Sequence, residues 1–253
     1  MSTHKYLHDN RNDQILIYVN GEILPRDKAK ISVFDSGFLL GDGVWEGIRF
    51  HNGHLVFIQE HLDRLFHGAS SLDIDIGVSE DRIKSLIISV LDANTMVTDI
   101  HIRLIVSRGL KKTPYQHPNA NSGESTIVII PEYKKVDKTI NKKGISLATV
   151  SARRGTADTQ NPRLNTLSKL NCIFACIEAD KKGADEGLMK DVNGNVSTCN
   201  STNFFIIKEK EVWTSTGEYC LPGVTRGAII QLCKENNIPI YKKNFSVDDV
   251  INA

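Results

Sequence analysis

The hydrophobic positions of this chain recur at two spacings, and each spacing predicts a different element. In "QILIYVNGEILP" two apolar runs flank Asn20-Gly21, the strongest short signal for a β-hairpin. "GIRFHNGHLVF" repeats the device at Asn52-Gly53. The spacing then lengthens. Leu62, Leu65, Phe66 and Ala69 recur at three- and four-residue steps and predict a helix over "IQEHLDRLFHGASSL". "SEDRIKSLIISVLDANT" predicts a second helix, with Ser79 as N-cap and acids in its first turn. "DIHIRLIVSRG" and "STIVIIPEY" read as buried strands.

Later, "ISLATV" predicts a strand and "TLSKLNCIFACIEADKKG" a helix. The apolar face of that helix is Leu167, Leu170, Phe174 and Ile177, and Gly183 ends it. "GLMKDVNGNVST" and "NFFIIKEKEVWTS" read as hairpins, and "VTRGAIIQLCKENNI" as an amphipathic helix. Between the halves, the five lysines of "PEYKKVDKTINKKG" mark a solvated linker. The expected fold class is α+β in two lobes: an N-terminal domain over 1–132, a linker over 133–143 and a C-terminal domain over 144–253. "FSVDDVINA" opens a helix at Ser246, so the C-terminal domain is expected to be truncated.

Composition removes several classes of function. A formal net charge of +1 offers no electrostatic footprint for nucleic acid. "MSTHKYLHDNRNDQ" has no apolar signal core and no run approaches membrane-spanning length, so the cytoplasm is the expected location. Five cysteines without a secretory signal argue against a disulfide framework. Cys172 and Cys176 share a helix face and read as small buried thiols. All eight histidines lie between His4 and His117, and no spacing suggests a metal site.

Three stretches could carry chemistry. Gly37, Gly41, Gly43 and Gly47 crowd "FDSGFLLGDGVWEGIRF", which reads as a loop needing positive φ; it is not a dinucleotide-binding GxGxxG. Arg64 in "HLDRL" is either a solvated charge or a guanidinium for a phosphate or carboxylate. "LPGVTRGAII" opens a helix at Val224-Thr225, where free backbone N–H groups would cradle a phosphate.

"FDSGFLLGDGVWEGIRF", "HLDRL", "IRLIVSRG", "GADEG", "NGNVSTCNSTNFF" and "LPGVTR" occur here in the order found in fold-type IV pyridoxal-phosphate enzymes. The chain resembles that group over roughly residues 15–250, and "GDGVWEGIR" is most similar to its branched-chain aminotransferases. The resemblance implies a smaller N-terminal α/β lobe and a larger barrel-like C-terminal lobe, incomplete at its C-terminal end. It implies pyridoxal 5'-phosphate as cofactor, with Arg64 and the backbone of Val224 and Thr225 on its phosphate. Amino-group transfer between a branched-chain amino acid and a 2-oxo acid is the implied reaction, and a homodimer the implied assembly. The apolar residues Phe38, Leu39, Leu40, Val44 and Trp45 match a segment at the family's subunit interface.

Two positions depart from the family pattern. Its lysine forms a Schiff base with the cofactor and then shuttles a proton. Counting back from Glu178-Ala179, that slot falls on Asn165, or on Leu164 with a one-residue insertion. Lys169 is a substitute only after a four-residue shift that breaks the match of Leu164, Leu167 and Leu170. Thr198 stands where most members place a glutamate on the pyridine nitrogen, and a threonine cannot balance a positive charge. Two further readings follow: a degenerate member that binds cofactor or partner without turnover, and an aminodeoxychorismate-type lyase, suggested by "LNTLSKL".

Overall fold

The computed structural model describes residues 8–135 and 139–253. Residues 136–138 of the expected linker lie outside the described residues. The described chain forms two compact units, one of residues 8–135 with Asn165–Ser168, the other of residues 139–164 with Lys169–Ala253.

In the first unit β1 (Leu16–Val19) and β2 (Glu22–Pro25) form the hairpin expected at Asn20-Gly21, and both turn residues have positive φ. A short helix α1 (Ser36–Leu40) leads into β3 (Gly43–His51), which turns at Asn52-Gly53 into β4 (His54–Val56). Helices α2 (Ile58–Ser70) and α3 (Glu80–Ala93) follow, then β5 (Ile100–Ser107) and β6 (Thr126–Tyr133). The sheet is antiparallel, in the order β2-β1-β6-β5-β3-β4. Its inner face packs Ile48, Ile102, Leu104 and Ile129 against Leu62, Leu65, Ile83 and Ile87 of the two helices. Each such side chain contributes on the order of 1.5–3 kcal/mol on leaving water.

The glycines around β3 serve packing more than conformation. Of the four, only Gly41 has a positive φ, 68°. A Cβ on Gly43 would sit 2.5 Å from the Val106 carbonyl oxygen, and one on Gly47 2.9 Å from His101. The expectation of a positive-φ loop is therefore corrected for Gly37, Gly43 and Gly47: close neighbours, not dihedrals, exclude a side chain there.

The second unit begins with α4 (Ile140–Lys143), β7 (Leu147–Arg154) and α5 (Ala157–Gln160), followed by α6 (Leu170–Lys181). The strands β8 (Glu186–Asp191), β9 (Val196–Cys199), β10 (Phe205–Lys208) and β11 (Glu211–Thr214) follow, then α7 (Val224–Glu235), β12 (Ile240–Lys242) and α8 (Val247–Ile251). β7 and β8 are parallel, as are β11 and β12, so each pair needs a crossover; α6 and α7 provide them.

The two-lobe α+β architecture is the one expected. The first unit takes more of the described residues than the second. The strands of the second unit form two three-stranded sheets, β7-β8-β9 and β10-β11-β12. One core of Leu188, Val196, Cys199, Ile206 and Phe245 serves both sheets.

Helix α6 overturns its sequence reading. Ala175 and Ala179 are buried against Val150 and Met189, while Leu170, Phe174 and Ile177 stay 45–58% exposed. The cause is close approach: a Cβ on Gly187 of β8 would lie 2.9 Å from the Ala175 carbonyl oxygen. The small-residue stripe goes inward and the large apolar stripe outward. Cys176 consequently turns out exposed and Cys172 half-buried, correcting the reading of both as buried thiols.

Candidate functional site

Strand β3 alternates inward and outward, and its inward residues include Val44, Glu46, Ile48 and Phe50. Glu46 is thus a carboxylate on an apolar face, with 0% exposure. Two residues of α2, one turn apart, meet it. Arg64 Nε donates to Glu46 Oε1 at 2.7 Å and Arg64 Nη2 to Oε2 at 2.6 Å. His61 Nδ1 lies 2.7 Å from Oε2. Burial pushes the Glu46 carboxyl up, but the Arg64 and His61 contacts outweigh it and hold the group below the usual carboxylate range. The fork-to-carboxylate geometry fixes both the position and the plane of the guanidinium. Arg64 is therefore no solvated surface charge.

Asn165 also belongs to the first unit. Residues 165–168 run antiparallel beside the start of β3, with a bridge between Val44 and Thr166. Trp45 N–H donates to the Asn165 carbonyl at 3.0 Å, and Leu167 N–H to the Gly43 carbonyl at 2.9 Å. The Asn165 side chain is buried and its Nδ2 donates to the Trp45 carbonyl. A side-chain amide here closes a strand pairing. It is neither nucleophile nor base.

Lys169, Thr198, Val224 and Thr225 stand in the second unit. Lys169 is the N-cap residue of α6, not an interior helix position as its spacing suggested. Thr198 is buried on β9, and its hydroxyl donates to the Thr202 carbonyl at 2.6 Å. With its proton so placed, that oxygen can accept a hydrogen bond from a ring N–H but brings no charge to it. Beside it, burial and the Glu186 carboxylate push the Cys199 thiol up to about 12, which removes it as a nucleophile.

Helix α7 starts after Gly223, which gives no side-chain cap. The backbone N–H groups of Val224 and Thr225 make no hydrogen bond among the described residues. They combine with the positive end of the helix dipole as an anion cradle. Asn203 holds the turn ahead of them: its Nδ2 donates to the Leu221 carbonyl at 3.0 Å, and a Cβ on Gly223 would overlap its Oδ1. The loop after β9 thus links Thr198, through Thr202 and Asn203, to the start of α7.

Sequence reasoning passed over Glu46, His61 and Asn203. Glu46 did leave a signal: an acid on the inward register of an otherwise apolar strand.

A family model described as amino-transferase class IV matches residues 43–253. The chain is 37% identical over 242 residues to branched-chain-amino-acid aminotransferase-like protein 1 of Arabidopsis thaliana, across 96% of this chain and 43% of that protein. It therefore spans under half the length of that relative. Against a putative branched-chain-amino-acid aminotransferase of Methanocaldococcus jannaschii it is 34% identical, across 94% of this chain and 81% of the other. The solved branched-chain amino acid aminotransferase of Escherichia coli matches with a TM-score of 0.85 at 25% identity, across 95% of this chain and 80% of that one.

Proteins of this family depend on pyridoxal phosphate and bind amino acids and 2-oxo acids. The guanidinium of Arg64 in the first unit and, separately, the N–H groups of Val224 and Thr225 in the second are each donors of a kind that suits a phosphate. Asn165 offers an amide and Thr198 a neutral hydroxyl, and neither side chain can form a Schiff base or balance a positive charge. Sequence match and fold agree: this chain belongs to the class IV aminotransferase family.

Proposed function

We propose that this chain binds pyridoxal 5'-phosphate without a covalent bond, and does not carry out amino-group transfer by the family's lysine route. One observation carries the reading: the residue counted into the lysine slot, Asn165, is buried and bonded through its amide to the Trp45 carbonyl. An amide nitrogen is not basic, so it can neither form a Schiff base nor carry the proton that the chemistry moves. Arg64, Val224 and Thr225 supply phosphate donors, and Thr198 supplies a neutral acceptor for the ring nitrogen. When bound, the cofactor supplies an electron sink, which a neutral acceptor weakens.

Titration of the protein with pyridoxal phosphate, followed by borohydride and mass spectrometry, tests the reading. Saturable binding with no phosphopyridoxyl mass on any lysine supports it. Absence of binding overturns it.

A second reading has its own support. The Arabidopsis and Methanocaldococcus relatives are named for branched-chain amino acids, which favours transfer between a branched-chain amino acid and a 2-oxo acid, with Lys169 as the amine. A reduced adduct on Lys169 decides for it.

The homodimer and the cytoplasmic location belong to the same proposal. Val33, Phe34, Phe38, Leu40 and Leu110 of the first unit are exposed, and Ser36 and Lys111 hydrogen bonds tie their two segments together. Apolar surface of that kind suits a second copy of the chain. A monomer by light scattering at micromolar concentration overturns the dimer.

A further inference from the structure

The salt bridge at the heart of the first unit has an asymmetry that points beyond stability. Glu46 is wholly buried on β3, whereas the Arg64 side chain keeps 14% exposure and His61 12%. Glu46 takes Nε and Nη2 of the guanidinium together, which leaves the planar group one orientation. A long arginine side chain otherwise samples many rotamers, and freezing it on binding costs affinity. Here the cost is met on folding, because β3 and α2 are locked by the apolar core around the cluster.

We propose that Glu46 is a positioning residue for anion recognition: it holds Arg64 in the orientation in which the guanidinium receives a phosphate ester, with His61 bracing the same carboxylate. This inference rests on the reading of Arg64 as a phosphate ligand, and extends it to a residue that touches no ligand itself. Three accounts of Glu46 give different signs. If Glu46 only neutralised Arg64, removing its charge would strengthen the pull on a phosphate. If it only supported the fold, its loss would weaken pyridoxal and pyridoxal phosphate alike. A positioning role weakens the phosphate ester selectively.

The experiment is a binding titration of the full chain with pyridoxal 5'-phosphate and with pyridoxal, read by absorbance. The proteins are the unsubstituted chain, Glu46→Gln, Arg64→Ala and the double variant. The expected result is that Glu46→Gln lowers the preference for the phosphate ester by roughly tenfold and leaves pyridoxal affinity unchanged. The double variant should then lose no more than Arg64→Ala alone, since residues acting as one unit are not additive. Glu46→Asp, which keeps the charge but withdraws it by one methylene, should give an intermediate loss and covers the case in which Glu46→Gln fails to fold. An unchanged or increased preference in Glu46→Gln overturns the inference while Arg64→Ala still shows its effect. No preference for the phosphate ester in the unsubstituted chain, or none lost in Arg64→Ala, overturns the reading of Arg64 and the inference with it.

Discussion

In the proposed reading, Arg64 and the start of α7 keep what an anion requires, while Asn165 and Thr198 lack what amino transfer requires of a lysine and a carboxylate. The first group rests on features that resist change. Arg64 is bound to a carboxylate inside the core of the first unit, and the N–H groups of Val224 and Thr225 come with any helix start. The second group rests on two individual side chains. Asn165 fills its place with a hydrogen bond to the Trp45 carbonyl, and Thr198 with one to the Thr202 carbonyl. On that reading binding and turnover are separable on one fold, since function lives in a few side chains.

The largest expected effect breaks the anion side of this comparison at its root. Glu46→Ala removes the buried carboxylate that Arg64 and His61 share, and loss of one partner from a buried pair costs about 3–5 kcal/mol. Urea denaturation measures it; a loss under about 1 kcal/mol would show that water or rearrangement relieves the cluster. Arg64→Ala should weaken pyridoxal phosphate binding by roughly 1.5–3 kcal/mol, the scale of a hydrogen bond to a charged group. Unchanged affinity on titration would assign Arg64 to stability alone.

A smaller effect separates the two faces of α6. Gly187→Val presses on the Ala175 backbone and should cost about 1–3 kcal/mol by overpacking. Phe174→Ser on the outer face should change unfolding of the isolated subunit by no more than about 0.5 kcal/mol. Equal costs at the two positions would contradict the orientation of the helix.

The smallest effect is the acid limb of stability. The folded pKa of Glu46 is depressed, so its contribution is complete above the unfolded value near ~4.3 and is lost as pH falls through the folded value. Glu46→Gln should therefore flatten the decline in stability below about pH 4.3. Parallel declines in both proteins, followed by urea denaturation across that range, would remove Glu46 from the acid response.

Much of the fold was legible because its signals are local. Asn20-Gly21 and Asn52-Gly53 announce their hairpins through residues that accept positive φ, and Ser79 caps α3 as its position implies. The inward face of α6 was not legible. Periodicity shows that an apolar stripe exists, but only the sheet shows whether a stripe of alanines fits closer, as Ala175 does over Gly187. The helix start at Val224-Thr225 was readable from the Pro-Gly turn ahead of it. Glu46 was hidden by the usual expectation that an acid in a strand faces water. The proton position on Thr198 depends on Thr202, four residues away across a loop, which spacing alone does not reveal.

The central claim, that this chain holds its cofactor without a covalent bond, is tested most directly by reducing the protein saturated with pyridoxal phosphate using borohydride. Peptide mass spectrometry then reads the product. The account predicts no phosphopyridoxyl mass on the "LNTLSKLNC" peptide of the unsubstituted chain, and its appearance in Asn165→Lys. A phosphopyridoxyl group on Lys169 of the unsubstituted chain would contradict the account.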